Sequence, residues 1–181
     1  LMRSYFSTKT KTQCNYNMKK LYLLTTLALL AAGTARAAEL TAPFSFATTQ
    51  ENFDKCTVIN VNGDDKQWKF NAFSNGTFNY PYSSANDAND WLILPAADFA
   101  AGTYDLEFGY RTAGSDAESF AVFIGDAPTV EGMTQEICRF EDVKNSSSFT
   151  PVSARFSVGQ AGDKYIGFYC FSPKYRYNLY I

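Results

Sequence analysis

Asn60-Val61-Asn62-Gly63-Asp64-Asp65, followed by Trp68, is a spacing that suits a hard metal ion. Oxygen-bearing side chains at alternate positions around a glycine turn can direct several oxygens at one centre. Ca²⁺ accepts six to eight oxygens at ~2.3–2.6 Å, amide and main-chain carbonyls included. The pattern is looser than an EF-hand loop, with Asn in two ligand places and no closing Glu. The same residues also spell a polar hairpin turn, because Asn-Gly and Asp-rich loops recur for backbone reasons alone. A second Asx-rich stretch, Asn86-Asp87-Ala88-Asn89-Asp90, runs into Trp91-Leu92-Ile93-Leu94-Pro95. Asp90 is there to cap that loop, to meet the cation or to face solvent. Trp91 heads an apolar strand and reads as a core anchor. The candidate ligands of a structural calcium are therefore Asn60, Asn62, Asp64, Asp65 and Asp90.

Tyrosines form the second set. Tyr80, Tyr82, Tyr175, Tyr177 and Tyr180 stand in or beside expected loops, where ring faces can stack on sugar rings; in an all-β chain such residues also serve as core and cross-strand partners. The chain has no histidine. That removes Ser-His-Asp and Cys-His catalysis, His-ligated zinc and His proton shuttling. Phosphate-binding and dinucleotide glycine motifs are missing, as is any CxxC pair. What remains for an enzyme is carboxylate chemistry, with two acids roughly 5–9.5 Å apart. Asp105, Glu107, Asp116 and Glu118 are available, but alternation puts Asp105, Glu107 and Glu118 on solvated faces. No residue is assigned a catalytic role.

Export follows from residues 18–37, MKKLYLLTTLALLAAGTARA. Lys19 and Lys20 form a positive start, Leu21 to Ala32 an apolar run, and Ala35-Arg36-Ala37 a small-residue cleavage site. The run is shorter than the ~20 apolar residues that span a bilayer. Residues 18–37 are thus expected to be a signal peptide, residues 1–17 an upstream segment outside the fold, and residues 38–181 one mature domain, secreted or held at the cell surface. All six charges in the first 37 residues are basic, so the mature part holds 10 basic against 18 acidic side chains. That balance disfavours nucleic acid and favours hard cations. The odd number of mature cysteines, Cys56, Cys138 and Cys170, permits at most one internal bridge. Their apolar neighbours suit buried thiols better.

The elements that must hold these groups are strands. Aromatic and β-branched runs at 53–60, 67–71, 91–94, 103–112, 119–125, 135–141, 149–158 and 164–171 alternate with Gly, Asn, Asp and Ser turns. In Tyr104 to Arg111 the apolar set Tyr104, Leu106, Phe108 and Tyr110 lines one face, and Asp105, Glu107 and Arg111 line the other. Residues 128–134 have room for a single helical turn at most. This spacing predicts an all-β antiparallel sandwich, a jelly roll.

Several stretches resemble the cleaved-adhesin or choice-of-anchor J domains, secreted jelly rolls of Bacteroidetes-type surface proteins that include the haemagglutinin/adhesin domains of gingipains. They are Pro43 to Phe46, Cys56 to Asp65 with Trp68, Asn89 to Pro95, Phe120 to Ile124 and Tyr165 to Phe168. The resemblance covers most of residues 43–181. It implies a calcium-stabilised β-sandwich used for attachment within a longer multidomain protein. Family members carry the closing strand further than Asn178 to Ile181, so a shortened closing strand is expected here. The reading is a non-catalytic adhesion module for a glycan or a host or matrix protein, with no transmembrane span in the mature chain. Its alternative is an ancillary carbohydrate-binding module of a larger secreted hydrolase or protease.

Overall fold

The computed structural model describes residues 40–181; the segments read as upstream sequence and signal peptide lie outside the described residues. Two sheets make up the domain. In the first, the strands are β1 (Leu40–Thr41), β2 (Thr57–Asn60), β5 (Asp90–Ile93), β6 (Ala97–Phe99), β8 (Glu118–Gly125), β9 (Gln135–Val143) and β11 (Gly162–Cys170). In the second they are β3 (Lys69–Asn71), β4 (Thr77–Tyr80), β7 (Gly102–Thr112), β10 (Thr150–Val158) and β12 (Leu179–Tyr180), in the order β10-β7-β12-β4-β3. All pairs are antiparallel except β1 with β6. The antiparallel sandwich expected from the alternation is the fold observed.

β11 organises the first sheet. Its later residues pair with β8 along one edge and with β5 along the other. Leu94 N–H reaches the Ile166 carbonyl at 2.8 Å, and the register then resumes at Ala97↔Lys164. β5 and β6 therefore lie end to end, interrupted around Pro95, which cannot donate a ladder hydrogen bond. β10 carries Pro151 and tolerates it because β10 is an edge strand.

Between the sheets lie Leu92, Phe120, Val122, Ile166 and Phe168 from the first sheet, with Phe78, Tyr110, Phe156 and Leu179 from the second. Phe108 meets Phe168 edge-on, ring centroids 5.5 Å apart, and so ties the layers together. Side chains such as Leu92 and Leu179, fully excluded from solvent, each contribute about 1.5–3 kcal/mol through burial. A smaller cluster of Trp91, Ile93 and Met133 lies apart from it, with Val130, Phe123 and Tyr169 packed round. By strand alternation Trp91 and Leu92 point to opposite faces. Trp91 is indeed a buried anchor, but on the first sheet's outer side beneath the β8–β9 loop.

Three expectations need correcting. Residues 53–60 are not one strand: Gln50–Phe53 forms a single helical turn, α1, whose N-cap Thr49 accepts from Asn52 N–H at 3.2 Å. That cap satisfies a backbone donor that a strand start would have left unpaired. Tyr80 is not a loop residue; it sits in β4, buried. Glu118 is not solvated, because the first residue of β8 is covered on both faces. Residues 128–134 form turns, within the single helical turn allowed for them.

The three cysteines among the described residues, Cys56, Cys138 and Cys170, are free thiols. Burial pushes Cys56 and Cys170 up to about 12 and Cys138 up to about 11, so none is a reactive thiolate at neutral pH.

Candidate functional site

The register of β2 on β5 sets Asn60 directly opposite Asp90, so the two Asx-rich stretches meet at one end of the first sheet. Asn60 stitches its loop. Its Oδ1 accepts from Gly63 N–H at 2.8 Å, and its Nδ2 donates to the Asp64 and Lys66 carbonyls at 2.7 and 3.1 Å. Gly63 has φ +67°, a backbone state that a side chain would strain. Asn62 Nδ2 crosses to the Asp87 carbonyl at 2.9 Å and joins the second loop to the first. Asp64 Oδ1 accepts from Lys66 N–H at 2.7 Å. Asp65 turns outward and pairs with Lys66 Nζ at 2.6 Å.

Asp90 is the buried centre of this cluster, fully excluded from solvent. Its Oδ2 accepts from the Tyr80 hydroxyl, and its carbonyl accepts from the Trp68 indole N–H at 3.2 Å. Its Oδ1 is buried with no hydrogen-bond partner among the described residues. Burial raises the Asp90 carboxyl above the usual range, partly offset by the Tyr80 bond, and the charge of Asp64 raises it further. Burial and Asp90 together raise Tyr80 as well. An orphaned buried carboxylate oxygen with a second carboxylate nearby is the donor chemistry a Ca²⁺ ion satisfies. Of the five expected ligands only Asp90 keeps a buried oxygen without a protein partner; Asn60 Oδ1 is taken by Gly63 N–H, Asp64 Oδ1 by Lys66 N–H, and Asp65 is paired outward with Lys66. Among the described residues no group of three or more Asp, Glu or Cys side chains converges as metal ligands.

The tyrosines separate into two groups. Tyr80 is committed to Asp90. Tyr82, Tyr175 and Tyr177 are 41, 59 and 49% exposed. Tyr82 and Tyr177 rings lie 5.8 Å apart. The 172–178 loop that carries two of them is fastened to the loop after β4. Tyr175 N–H donates to the Ser83 carbonyl at 2.7 Å, Lys174 N–H to Asp87 Oδ1 at 2.8 Å, and Tyr82 N–H to Asn178 Oδ1 at 2.9 Å. Tyr175 holds φ +66°, unusual for a bulky residue. Tyr177 rests on Gly114, where a Cβ would come within 2.9 Å of the ring and where φ is +64°.

The aromatic surface continues along the second sheet. Leu179 and Ile181 point inward, so Tyr180 points out. Its hydroxyl accepts from Asn178 Nδ2 at 3.0 Å, and its ring lies 6.1 Å from Phe73, which is 49% exposed. Arg111 stands over both rings, 5.3 Å from Phe73 and 6.0 Å from Tyr180. The result is a fixed strip of Phe73, Tyr180, Tyr82 and Tyr177, interleaved with Arg111 and Asn178. Phe73 and Arg111 are the members that sequence reasoning missed. Their signal was only that Arg111 stands on the polar face of an alternating strand.

No protein-family model and no curated protein matches the chain. Solved structures do. The K2 cleaved adhesin domain of Lys-gingipain is 14% identical, with 74% of this chain and 90% of that domain covered and a TM-score of 0.57. The fold is similar to that of cleaved adhesin domains. The K1 domain of Lys-gingipain from Porphyromonas gingivalis W83 repeats the likeness at 16% identity, with 70 and 86% covered and a TM-score of 0.54. The CBM22-1 and GH10 modules of a Clostridium thermocellum xylanase 10B, complexed with xylohexaose, are 16% identical. There 80% of this chain and 27% of that chain are covered, with a TM-score of 0.52.

Elsewhere, two of the carboxylates weighed for glycoside hydrolysis stand in different surroundings. Asp105 is paired with Arg155 at 2.9 Å on an exposed face. Glu118 is buried with both oxygens unpartnered among the described residues; Ser172 lies nearby but its hydroxyl is committed to Ser119. Burial pushes Glu118 up to about 7, against the opposing influence of Ser172 and the Arg176 charge. Among the described residues no helix is long and apolar enough to cross a membrane.

Proposed function

We propose that this chain is an exported, non-catalytic binding module that recognises a glycan through the aromatic strip of Phe73, Tyr180, Tyr82 and Tyr177. The observation that carries the reading is four large rings at one surface, on loops fastened to each other by backbone hydrogen bonds, with the Tyr180 hydroxyl also tied to Asn178. Large exposed rings are costly unless they meet something. A pyranose offers an apolar C–H face to such rings, and its hydroxyls suit Asn178 and Arg111. Holding the rings in advance lowers the ordering cost of binding.

In this reading a calcium ion at Asp90, with Asn60, Asn62 and Asp64, is structural. It supplies the missing partner of Asp90 Oδ1 and locks the two Asx-rich loops together beside the strip. The likeness to a xylanase fragment bound to xylohexaose favours a second arrangement, in which the same strip serves as the ancillary carbohydrate-binding part of a larger enzyme.

Affinity electrophoresis through gels containing soluble polysaccharides tests the proposal. Retardation by at least one polysaccharide, lost in Tyr82→Ala and Tyr177→Ala, is the expected result. Migration unaffected by every polysaccharide, with capture by extracellular-matrix proteins instead, would refute glycan recognition.

A further inference from the structure

The charges of this domain are unevenly paired. Residues 38–181 hold 10 basic against 18 acidic side chains. Six of the basic ones pair with a carboxylate: Lys55 with Glu51, Lys66 with Asp65, Arg139 with Glu136, Arg155 with Asp105, Lys164 with Asp126 and Arg176 with Asp142. Lys69, Arg111, Lys144 and Lys174 have no carboxylate partner among the described residues. In a chain with acids to spare, unpaired cations are the exception, and all four border the aromatic strip.

Strand register places two of them. Arg111 pairs with Tyr180, Tyr180 with Asn79, and Asn79 with Lys69. Directly opposed residues share a face, so these four form one row across β7, β12, β4 and β3 on the outer side of the second sheet. Asn79 is the buried floor of that row, its Nδ2 bonded to the Tyr80 and Leu179 carbonyls at 3.0 and 3.1 Å. Three interstrand steps of about 4.8 Å put the backbones of Arg111 and Lys69 roughly 14 Å apart, with Tyr180 between them. Lys69 also lines a recess of about 420 Å³ with Pro81, Tyr82 and Asn178. Lys174 Nζ lies 5.7 Å over the Tyr175 ring, and Lys144 opens the loop whose Ser146 carbonyl accepts from Arg111 Nε at 3.0 Å. The Nη donors of Arg111 have no acceptor among the described residues. Carboxylates of the surrounding loops are already engaged: Asp65 with Lys66 Nζ at 2.6 Å, Asp87 Oδ1 with Lys174 N–H at 2.8 Å, and Asp142 with Arg176 at 3.8 Å.

On the footing that the strip binds a glycan, we propose that the glycan is anionic, a chain whose sugar rings carry carboxylate or sulfate groups. Ring faces stack on Phe73, Tyr180 and Tyr82, while Arg111 and Lys69 meet acidic groups at the two ends of the row. A planar guanidinium with free Nη donors suits a carboxylate or a sulfate in bidentate fashion. Lys69, exposed on β3 at the sheet edge, supplies a point charge. A chain charged on successive rings engages both ends of the row at once. The excess of acids over the rest of the domain repels such a chain elsewhere, so its binding is local and salt-dependent.

Affinity electrophoresis of the full chain through matched gels tests this, each pair sharing one sugar backbone. Polygalacturonate against its methyl ester isolates the carboxylate, and dextran sulfate against dextran isolates the sulfate. At least one anionic member should bind wild type at least tenfold more tightly than its neutral partner, and added salt should shrink that difference. Lys69→Gln and Arg111→Gln should each reduce the difference at least threefold. Arg139→Gln, which removes a cation from over Phe171 on the first sheet, should leave it whole. A preference in the first pair alone assigns a carboxylate, in the second alone a sulfate, and in both the chemistry they share. Equal binding of charged and neutral members overturns the anionic assignment and leaves glycan recognition standing. A preference weakened as much by Arg139→Gln as by Lys69→Gln and Arg111→Gln overturns it too, because the attraction is then diffuse. Retention by no polysaccharide refutes glycan recognition itself, and the anionic assignment with it.

Discussion

Glu118→Gln exposes the pH-dependent cost of burying one carboxyl in this domain. The wild-type carboxyl moves from an ordinary value near 4.5 to about 7 because it is buried without a hydrogen-bond partner among the described residues. Below about pH 4.5 it is protonated in folded and unfolded chains alike. Between about 4.5 and 7 the unfolded chain releases the proton and the folded chain retains it. The folded state then binds more protons, so stability falls as pH rises through that window and levels off above it. A shift of about 2.5 pH units at 1.36 kcal/mol each is roughly 3 kcal/mol. Glutamine keeps the shape and cannot ionise, so it removes the pH-dependent loss. At about 2–4 °C per kcal/mol for a domain of this size, Glu118→Gln should melt about 6–12 °C above wild type at pH 8. The two should nearly coincide at pH 4. Thermal melts of both proteins from pH 4 to 8.5 supply the difference curve, in which contributions from pairs such as Asp105–Arg155 cancel. A difference that does not change with pH, or a variant less stable than wild type at pH 8, would refute the reasoning.

Other outcomes follow from the same structure. Calcium in hundredfold excess over Kd should stabilise the domain by about 2.7 kcal/mol, read as a higher melting temperature than in chelator; Asp90→Asn or Asp64→Ala should erase the response, and Asp65→Ala should keep it. Leu179→Ala empties a fully buried position between β4 and β7 and should cost about 2–5 kcal/mol in urea unfolding. Gly114→Ala puts a Cβ against the Tyr177 ring at a positive φ and should cost about 1 kcal/mol or more, with Tyr177 displaced in the near-ultraviolet circular dichroism.

The strands of this domain were legible because their period is local: Tyr104 to Arg111 declares its two faces without reference to any partner. The turn at Asn60 to Asp65 was legible for the same reason. Which loops meet was not, since the pairing of Asn60 with Asp90 is a register across two strands 30 residues apart. Glu118 shows the limit of alternation. It opens a strand covered on both faces, so either direction would have buried it. Tyr80 and Tyr82 are two residues apart, a spacing that in a continuous strand would share one face, yet one is buried and one exposed. Strand β4 ends between them. Phe73 and Arg111 became neighbours only when β12 brought Tyr180 alongside β7.

The central claim is that the fixed rings at the surface are a glycan site. A glycan array probed with the labelled wild-type chain and with the Tyr82→Ala/Tyr177→Ala double variant tests it most directly. Both side chains are at the surface, so the variant should melt with the wild type, surface substitutions usually costing within about 0.5 kcal/mol. Wild type should bind a defined set of glycans, and the double variant should bind them at least tenfold more weakly, which is about 1.4 kcal/mol. Equal binding by the two proteins, or no glycan bound by either, would contradict it.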